Sequence, residues 1–212
     1  MSVETIIFDF DGTLVNSYQG IQNAFDYAFK EVYLRTNNIN IRKLVGPPIK
    51  EILFELTREQ DENVISNFAT SFKNKYDEKE YLSSELYSDV KIMLETLSIN
   101  KIKIILCTNK RIVPTIKMLQ SFDLNKYFHK IYTLDSENIK FKNKDDLLNY
   151  IISSENIDLI KTLFVGDTIH DENASSKNNV PFVFAKYGFG RYEDVNTKLF
   201  INQPMDIFKY LT

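Results

Sequence analysis

This chain predicts a doubly wound α/β fold, a Rossmann-like parallel sheet with a small all-helical domain inserted after the first strand. Three observations carry that expectation. Short apolar, β-rich runs alternate with helical spacings over most of the 212 residues, the pattern of strand–helix–strand units joined by right-handed crossovers. Three of the runs end in polar residues. One long stretch shows helical spacing alone. The expected division is a core of residues 1–15 and 85–212, with a helical insert over 16–84.

The first strand is Ile6-Ile7-Phe8, stopping at Asp9, where Asp11-Gly12 lets the chain turn. Ile21, Ala24, Phe25, Ala28, Phe29 and Val32 then recur at intervals of three and four, which predicts a helix from about 17 to 34, broken at Asn37-Asn38. Gly46-Pro47-Pro48 is a turn, and Pro48 suits the first turn of the next helix, with Ile49, Ile52, Leu53 and Leu56 on its apolar face. A third helix carries Val64, Ile65, Phe68, Ala69, Phe72 and Tyr76. Ser88 is placed to cap a helix with Val90, Met93, Leu94 and Leu97 inward. A second buried strand spans 101–107 and ends in Thr108-Asn109. A helix follows over about 111–122, with Pro114 near its first turn. Ile131–Leu134 is a weaker strand, and Leu147, Leu148, Ile151 and Ile152 mark another helix. Thr162–Val165 is a strand ending in Gly166-Asp167. A short helix and Asn178-Asn179 lead to the fifth strand, 180–185.

Composition narrows the function. The chain is 43% hydrophobic, enough for a sizeable core, and its net charge of −3 leaves no basic footprint for nucleic acid. Lysines are scattered rather than blocked. No apolar run reaches membrane-spanning length, and the start Met1-Ser2-Val3-Glu4 lacks a basic leader. The single Cys107 cannot form an intrachain disulfide. The expectation is a soluble, cytoplasmic protein without nucleic-acid or membrane partners. The sequence leaves the assembly state open, with a lean to the monomer.

Chemistry converges on the strand ends, the edge of an open α/β sheet where ligands bind. Asp9 and Asp11 stand one residue apart, and two carboxylates that close repel unless a cation or shared proton intervenes. A divalent metal with oxygen ligands, Mg²⁺ first, answers that need, and Asp9 and Asp167 could share it. The Thr108 hydroxyl suits a phosphoryl oxygen. Lys144, just before a helix, either supplies the missing cation or is an exposed loop lysine, as expected of Lys140 and Lys142. His170 either touches a ligand or lies in a loop at the rim. His129 belongs on the surface. Cys107, expected to be buried, reads as inert, because apolar surroundings raise a thiol's pKa.

Asp9-Phe10-Asp11-Gly12-Thr13, Thr108-Asn109, Lys144 and Gly166-Asp167-x-x-x-Asp171 resemble, in order, the four motifs of the haloacid dehalogenase superfamily. The resemblance covers essentially the whole chain, and the helical insert is similar to that family's C1 cap. The run through Val15-Asn16-Ser17, the turn Val45-Gly46-Pro47-Pro48-Ile49-Lys50 and the late Tyr187-Gly188-Phe189-Gly190 resemble the phosphoglycolate phosphatase-like branch. The resemblance implies that Asp9 is a nucleophile forming an aspartyl-phosphate, with Asp11 as acid and then base. It implies Mg²⁺ on the Asp9 carboxylate, the Asp11 backbone carbonyl and Asp167. Thr108, Asn109 and Lys144 would hold phosphoryl oxygens, with Asp171 and Thr13 in support. Two positions depart from the pattern: Asn16, where the family often has Asp, and Lys144-Asp145, where it often has Lys-Pro. Lys142 is the alternative motif lysine. Arg42 and Lys50, flanking the insert's turn, either reach an anionic substrate group or belong to a solvated surface.

The implied activity is Mg²⁺-dependent hydrolysis of a small phosphate ester, phosphoglycolate first. Asp11 favours phosphoryl transfer over dehalogenation, since an alkoxide needs a proton on leaving and a halide does not. Alternatives are a nucleoside 5′-monophosphatase, a pyrophosphatase, a sugar phosphomutase of the β-phosphoglucomutase type, and a non-catalytic binding protein on the same fold.

Overall fold

The structure is a computed structural model, and it describes residues 2–32, 41–136 and 141–211. The expected break at Asn37-Asn38 and the expected surface residue Lys140 lie outside the described residues.

Eight strands are described: β1 (Thr5–Phe8), β2 (Val15–Asn16), β3 (Glu85–Leu86), β4 (Lys103–Thr108), β5 (Lys130–Thr133), β6 (Thr162–Gly166), β7 (Phe182–Ala185) and β8 (Phe200–Ile201). Six of them form one sheet in the order β5-β4-β1-β6-β7-β8, and β2 pairs with β3 separately. Every pairing in the larger sheet is parallel. The seven described α-helices are α1 (Tyr18–Glu31), α2 (Ile49–Thr57), α3 (Glu62–Glu78), α4 (Val90–Ile99), α5 (Ile112–Ser121), α6 (Lys144–Ser154) and α7 (Ile169–Lys177). No described helix is long and apolar enough to cross a membrane.

The chain divides into two compact units, Met1–Asn16 with Leu86–Thr212, and Ser17–Glu85. In the first, the doubly wound α/β architecture expected from the alternating pattern is present. From β1 the chain steps outward through β4 to β5, then returns across β1 to build β6, β7 and β8. The order of the sheet therefore reverses beside β1, and such a switch point opens a crevice at the carboxyl ends of the strands. Strand residues alternate between faces. Ile7, Ile105, Cys107, Phe164 and Phe184 share one core cluster with Leu147, Leu148 and Ile151 of α6 and Ala174 of α7. The alternate residues Ile6, Phe8, Ile104 and Leu106 are equally buried on the other face.

The second unit is helical. Phe25 and Phe29 of α1 meet Phe68 of α3 with ring centroids 5.0 and 4.9 Å apart, the arrangement that the three-and-four spacing of both helices produces. Gly20 lets α1 approach the segment after α3, since a Cβ there would lie 2.1 Å from the Glu80 carbonyl oxygen.

Three expectations are corrected. The strand after α7 does not complete the sheet: β8 adds a sixth strand, so short that two residues beside a polar loop carry its whole signal. The helix at 90–99 is not capped by Ser88. Asp89 holds the cap position at φ +64° without a side-chain bond, because Tyr87 N–H is drawn to the Leu14 carbonyl at 3.2 Å and sets the entry. His170 stands exposed in the first turn of α7 rather than in a loop. The helix expected over about 17–34 is present as α1, with caps at Ser17 and Val32; residues 33 and 34 lie outside the described residues.

Candidate active site

The site grows from the carboxyl ends of β1, β4 and β6. Asp9 continues the β1 ladder by one bond, its N–H donating to the Val165 carbonyl at 2.9 Å. The chain then folds back on itself, with Leu14 and Val15 N–H groups on the Phe10 carbonyl. Gly12, at φ +86°, makes that turn possible where an L side chain would be strained.

Lys144 is the first residue of α6. Asn143 caps the helix by accepting from Asp146 N–H at 3.0 Å, and Asp145 and Asp146 suit its positive end. The Lys144 side chain is buried, with Nζ 2.7 Å from Asp9 Oδ1 and 2.5 Å from Asp171 Oδ1. Lys142 is exposed. Of the two candidate lysines, Lys144 is therefore the one in contact with Asp9.

Asp171 is used twice. Its Oδ2 accepts from Thr168 N–H at 2.9 Å and from the Thr168 hydroxyl at 2.7 Å, closing a capping box on α7. Its Oδ1 is on Lys144. Asp167, fully buried, accepts from the Thr13 hydroxyl at 3.1 Å and from Phe189 N–H at 2.7 Å. Backbone crowds it closely: a Cβ on Gly188 would lie 2.3 Å from the Asp167 Cβ, and one on Gly12 would lie 2.1 Å from Oδ2.

Asp9, Asp167 and Asp171 present carboxylate oxygens within 4.8 Å of one another, all buried. One ammonium faces three carboxylates. Burial pushes the Asp9 carboxyl up to about 7, against the pull of Lys144 and with Asp171 adding to the rise. Burial likewise raises Asp167 well above the ordinary value, with Asp171 and Asp9 adding to it. Burial also opposes the charge on Lys144, but Asp171 and Asp9 outweigh it and hold the ammonium charged. Among the described residues the second oxygen of Asp9 has no hydrogen-bond partner. The donor set is oxygen only and short of positive charge, which fits a hard divalent cation such as Mg²⁺.

Asp11 points elsewhere. Its carboxylate is paired with Lys110 Nζ at 3.1 Å, not with the three buried acids. Thr108 is buried at the end of β4, and its hydroxyl accepts from Lys110 N–H at 3.2 Å. Asn109 follows it, half-buried. Cys107 is fully buried, and burial pushes its thiol well up, which disfavours the thiolate. His129 is exposed, as expected. Arg42 and Lys50 lie in the helical unit, where Arg42 sits 5.5 Å over the Tyr18 ring and Lys50 is exposed.

Two parts of the site were missed in the sequence. Lys110 was passed over among scattered lysines. The available signal was its place two residues beyond Thr108, the end of a strand that neighbours β1, level with the residues that follow Asp9. The Phe189 amide was invisible as a donor, although Gly188 and Gly190 beside it mark a close backbone approach.

The sequence profile of the haloacid dehalogenase-like hydrolases matches residues 6–206 of this chain. A 5′-nucleotidase of Pseudomonas aeruginosa is 22% identical, the match covering 90% of this chain and 86% of that one. A pyrophosphatase of Oceanobacillus iheyensis is 28% identical over 85% of this chain and 82% of its own. A phosphoglycolate phosphatase of Aquifex aeolicus is 24% identical over 99% of this chain and 97% of its own. Among solved structures, a predicted phosphatase from Clostridium acetobutylicum superposes with a TM-score of 0.91 at 25% identity, covering 99% of this chain and 98% of that one.

Proposed function

The chain belongs to the haloacid dehalogenase-like hydrolase family, and from that premise we propose that it is a Mg²⁺-dependent phosphatase acting through an aspartyl-phosphate. One observation carries the reading. Asp9 is gripped through one oxygen by Lys144 and leaves the other without a partner among the described residues, inside a buried cluster in which three carboxyl groups meet one lysine. A carboxylate so held is oriented as a nucleophile.

In the first step the second oxygen of Asp9 bonds to phosphorus, and the bond from phosphorus to the leaving oxygen breaks. Asp11 gives that oxygen its proton. In the second step water attacks the aspartyl-phosphate, the bond from phosphorus to Asp9 breaks, and Asp11 takes the proton from the water. One residue serves both steps because the first leaves it deprotonated. Lys144 and Thr108 hold phosphoryl oxygens, with the backbone near Asn109. Asp171 keeps Lys144 in place, and Thr13 does the same for Asp167. The Asp9 carboxylate, the Asp11 carbonyl and Asp167 would hold Mg²⁺. Bound there, the cation would offset repulsion between the acids and a phosphate dianion. The helical insert, read as a cap over residues 16–84, carries Arg42 and Lys50 as candidate contacts for an anionic substrate group.

The substrate class is a small phosphorylated metabolite. The relatives act, by their names, on phosphoglycolate, pyrophosphate and nucleoside 5′-phosphates, so these set the order of the assay. Phosphate release is measured from phosphoglycolate, pyrophosphate, nucleoside monophosphates and sugar phosphates, with Mg²⁺, with EDTA, and with the Asp9→Asn variant. Release that needs the metal, and a drop of roughly 10³-fold or more in Asp9→Asn, is the expected result. An Asp9→Asn enzyme working at the parent rate overturns the mechanism.

A further inference from the structure

Lys110 takes no part in the steps above, yet it is built into the site. Its side chain is 7% exposed, and Nζ lies 3.1 Å from both Oδ1 and Oδ2 of Asp11. An ammonium equidistant from two carboxylate oxygens fixes the direction of the carboxyl group as well as its place. The backbone of Lys110 is itself anchored, its N–H donating to the Thr108 hydroxyl at 3.2 Å. β1 and β4 are parallel neighbours, with Phe8 level with Leu106. The short segments that run on past the two strands therefore emerge side by side. Lys110 bridges them, tying the acid that follows β1 to the hydroxyl that ends β4.

We propose that Lys110 is a positioning residue for proton transfer: it aims the Asp11 carboxyl at the leaving oxygen. This rests on the phosphatase reading, in which Asp11 is the acid of the first step. Lys110 itself gains and loses no proton. When Asp9 bonds to phosphorus and the leaving oxygen departs, the proton moves from Asp11 to that oxygen, and Lys110 sets the line along which it moves. The effect of losing Lys110 should therefore scale with how badly the leaving group needs a proton. A benzyl alkoxide needs one greatly, and a p-nitrophenolate needs one little.

The test compares kcat/KM for benzyl phosphate and p-nitrophenyl phosphate in the parent, Lys110→Met, Lys110→Arg, Asp11→Asn and the Asp11→Asn/Lys110→Met double variant. kcat/KM covers every step up to the first cleavage at phosphorus, so water attack does not blur the comparison. Lys110→Met is expected to lose about 30-fold on benzyl phosphate, a loss about tenfold larger than on p-nitrophenyl phosphate, within the range of general acid catalysis. Lys110→Arg should recover most of it. The double variant should be no slower on benzyl phosphate than Asp11→Asn alone, because the lysine acts only through that acid. Equal losses on the two esters would assign Lys110 to the phosphoryl group or to the fold and overturn the proposal. So would additive losses in the double variant. If Lys110→Met does not fold, Lys110→Gln carries the same comparison. A parent that is active while its Lys110 variants match it overturns this proposal alone. A parent that releases phosphate from neither ester, and from no metabolite of the wider assay, overturns the phosphatase reading and this proposal with it.

Discussion

The two ends of the parallel sheet each hold a charged cluster, and the clusters are built on opposite rules. At the carboxyl end, three buried carboxylates cluster, and Lys144 is bonded to two of them, Asp9 and Asp171. At the amino end, a single carboxylate, Glu155 after the last turn of α6, is surrounded by donors. Lys103 Nζ lies 2.7 Å away, the Tyr132 hydroxyl donates at 2.7 Å, and His129 Nε2 sits at 3.1 Å. Partial burial pushes Glu155 up, but Lys103, Tyr132 and His129 outweigh it and hold its carboxyl below the ordinary value. The same helix thus starts in a cluster short of positive charge and ends in one that has enough. The amino-end cluster is complete as it stands and ties a helix to two strands. The carboxyl-end cluster sets three buried carboxyl groups against one lysine, with Asp9 and Asp167 pushed up, and perturbed groups of that kind mark a candidate place for a ligand.

The largest test of this contrast removes the lysine bonded to the buried acids Asp9 and Asp171. Lys144→Met leaves Asp9 and Asp171 buried without their partner and should cost about 3–5 kcal/mol of stability, read from urea unfolding. A cost no greater than that of changing Glu155 would erase the distinction between the two ends. Next comes the metal. Mg²⁺ at a hundred times its dissociation constant should stabilise the parent by about 2.7 kcal/mol in thermal unfolding. Asp167→Asn should lose most of that increment, whereas Glu155→Gln should keep it. A shift of equal size in both variants would place the cation somewhere other than the buried acids. The smallest effect is that of Glu155→Gln itself, about 1 kcal/mol for a partly exposed polar cluster. Its sign with pH is fixed by the lowered value. The stabilisation is present above the ordinary glutamate value of 4.5 and is lost as pH falls through the depressed one. Glu155→Gln should therefore flatten the acid limb of the stability curve, and an unchanged limb would show that another carboxylate governs it.

What could be read in the sequence follows from how far each signal travels along the chain. β1, β4 and β6 were legible because each is a continuous apolar run closed by a polar residue, so the strand and its functional end share a few positions. The doubly wound order followed from alternation. β2, β3 and β8, two residues each, exist through their pairings and leave no period to detect. Asp89 holds the start of α4 because distant backbone draws the preceding residue in, which no local capping rule contains. The Lys110–Asp11 pair spans 99 positions and joins two segments beyond the strands, so neither residue announces the other. Asp9, Asp11 and Asp167 stood out by their spacing, whereas the Phe189 amide on Asp167 has no side-chain signature at all.

Asp171 both caps α7 and holds Lys144. That double use has a consequence for the order in which the chain is made. Asp9 is synthesised early, and Lys144 follows 135 positions later. Asp171 comes 27 positions after Lys144, and Phe189 comes 22 positions after Asp167. The acid that follows the first strand is therefore far in sequence both from its lysine and from the carboxylate that anchors that lysine. Only when α7 winds does the lysine acquire its second anchor. A chain truncated before α7 lacks Asp171 altogether, and with it the second grip on Lys144. Capping of α7 and anchoring of the lysine on Asp9 rest on one and the same carboxylate.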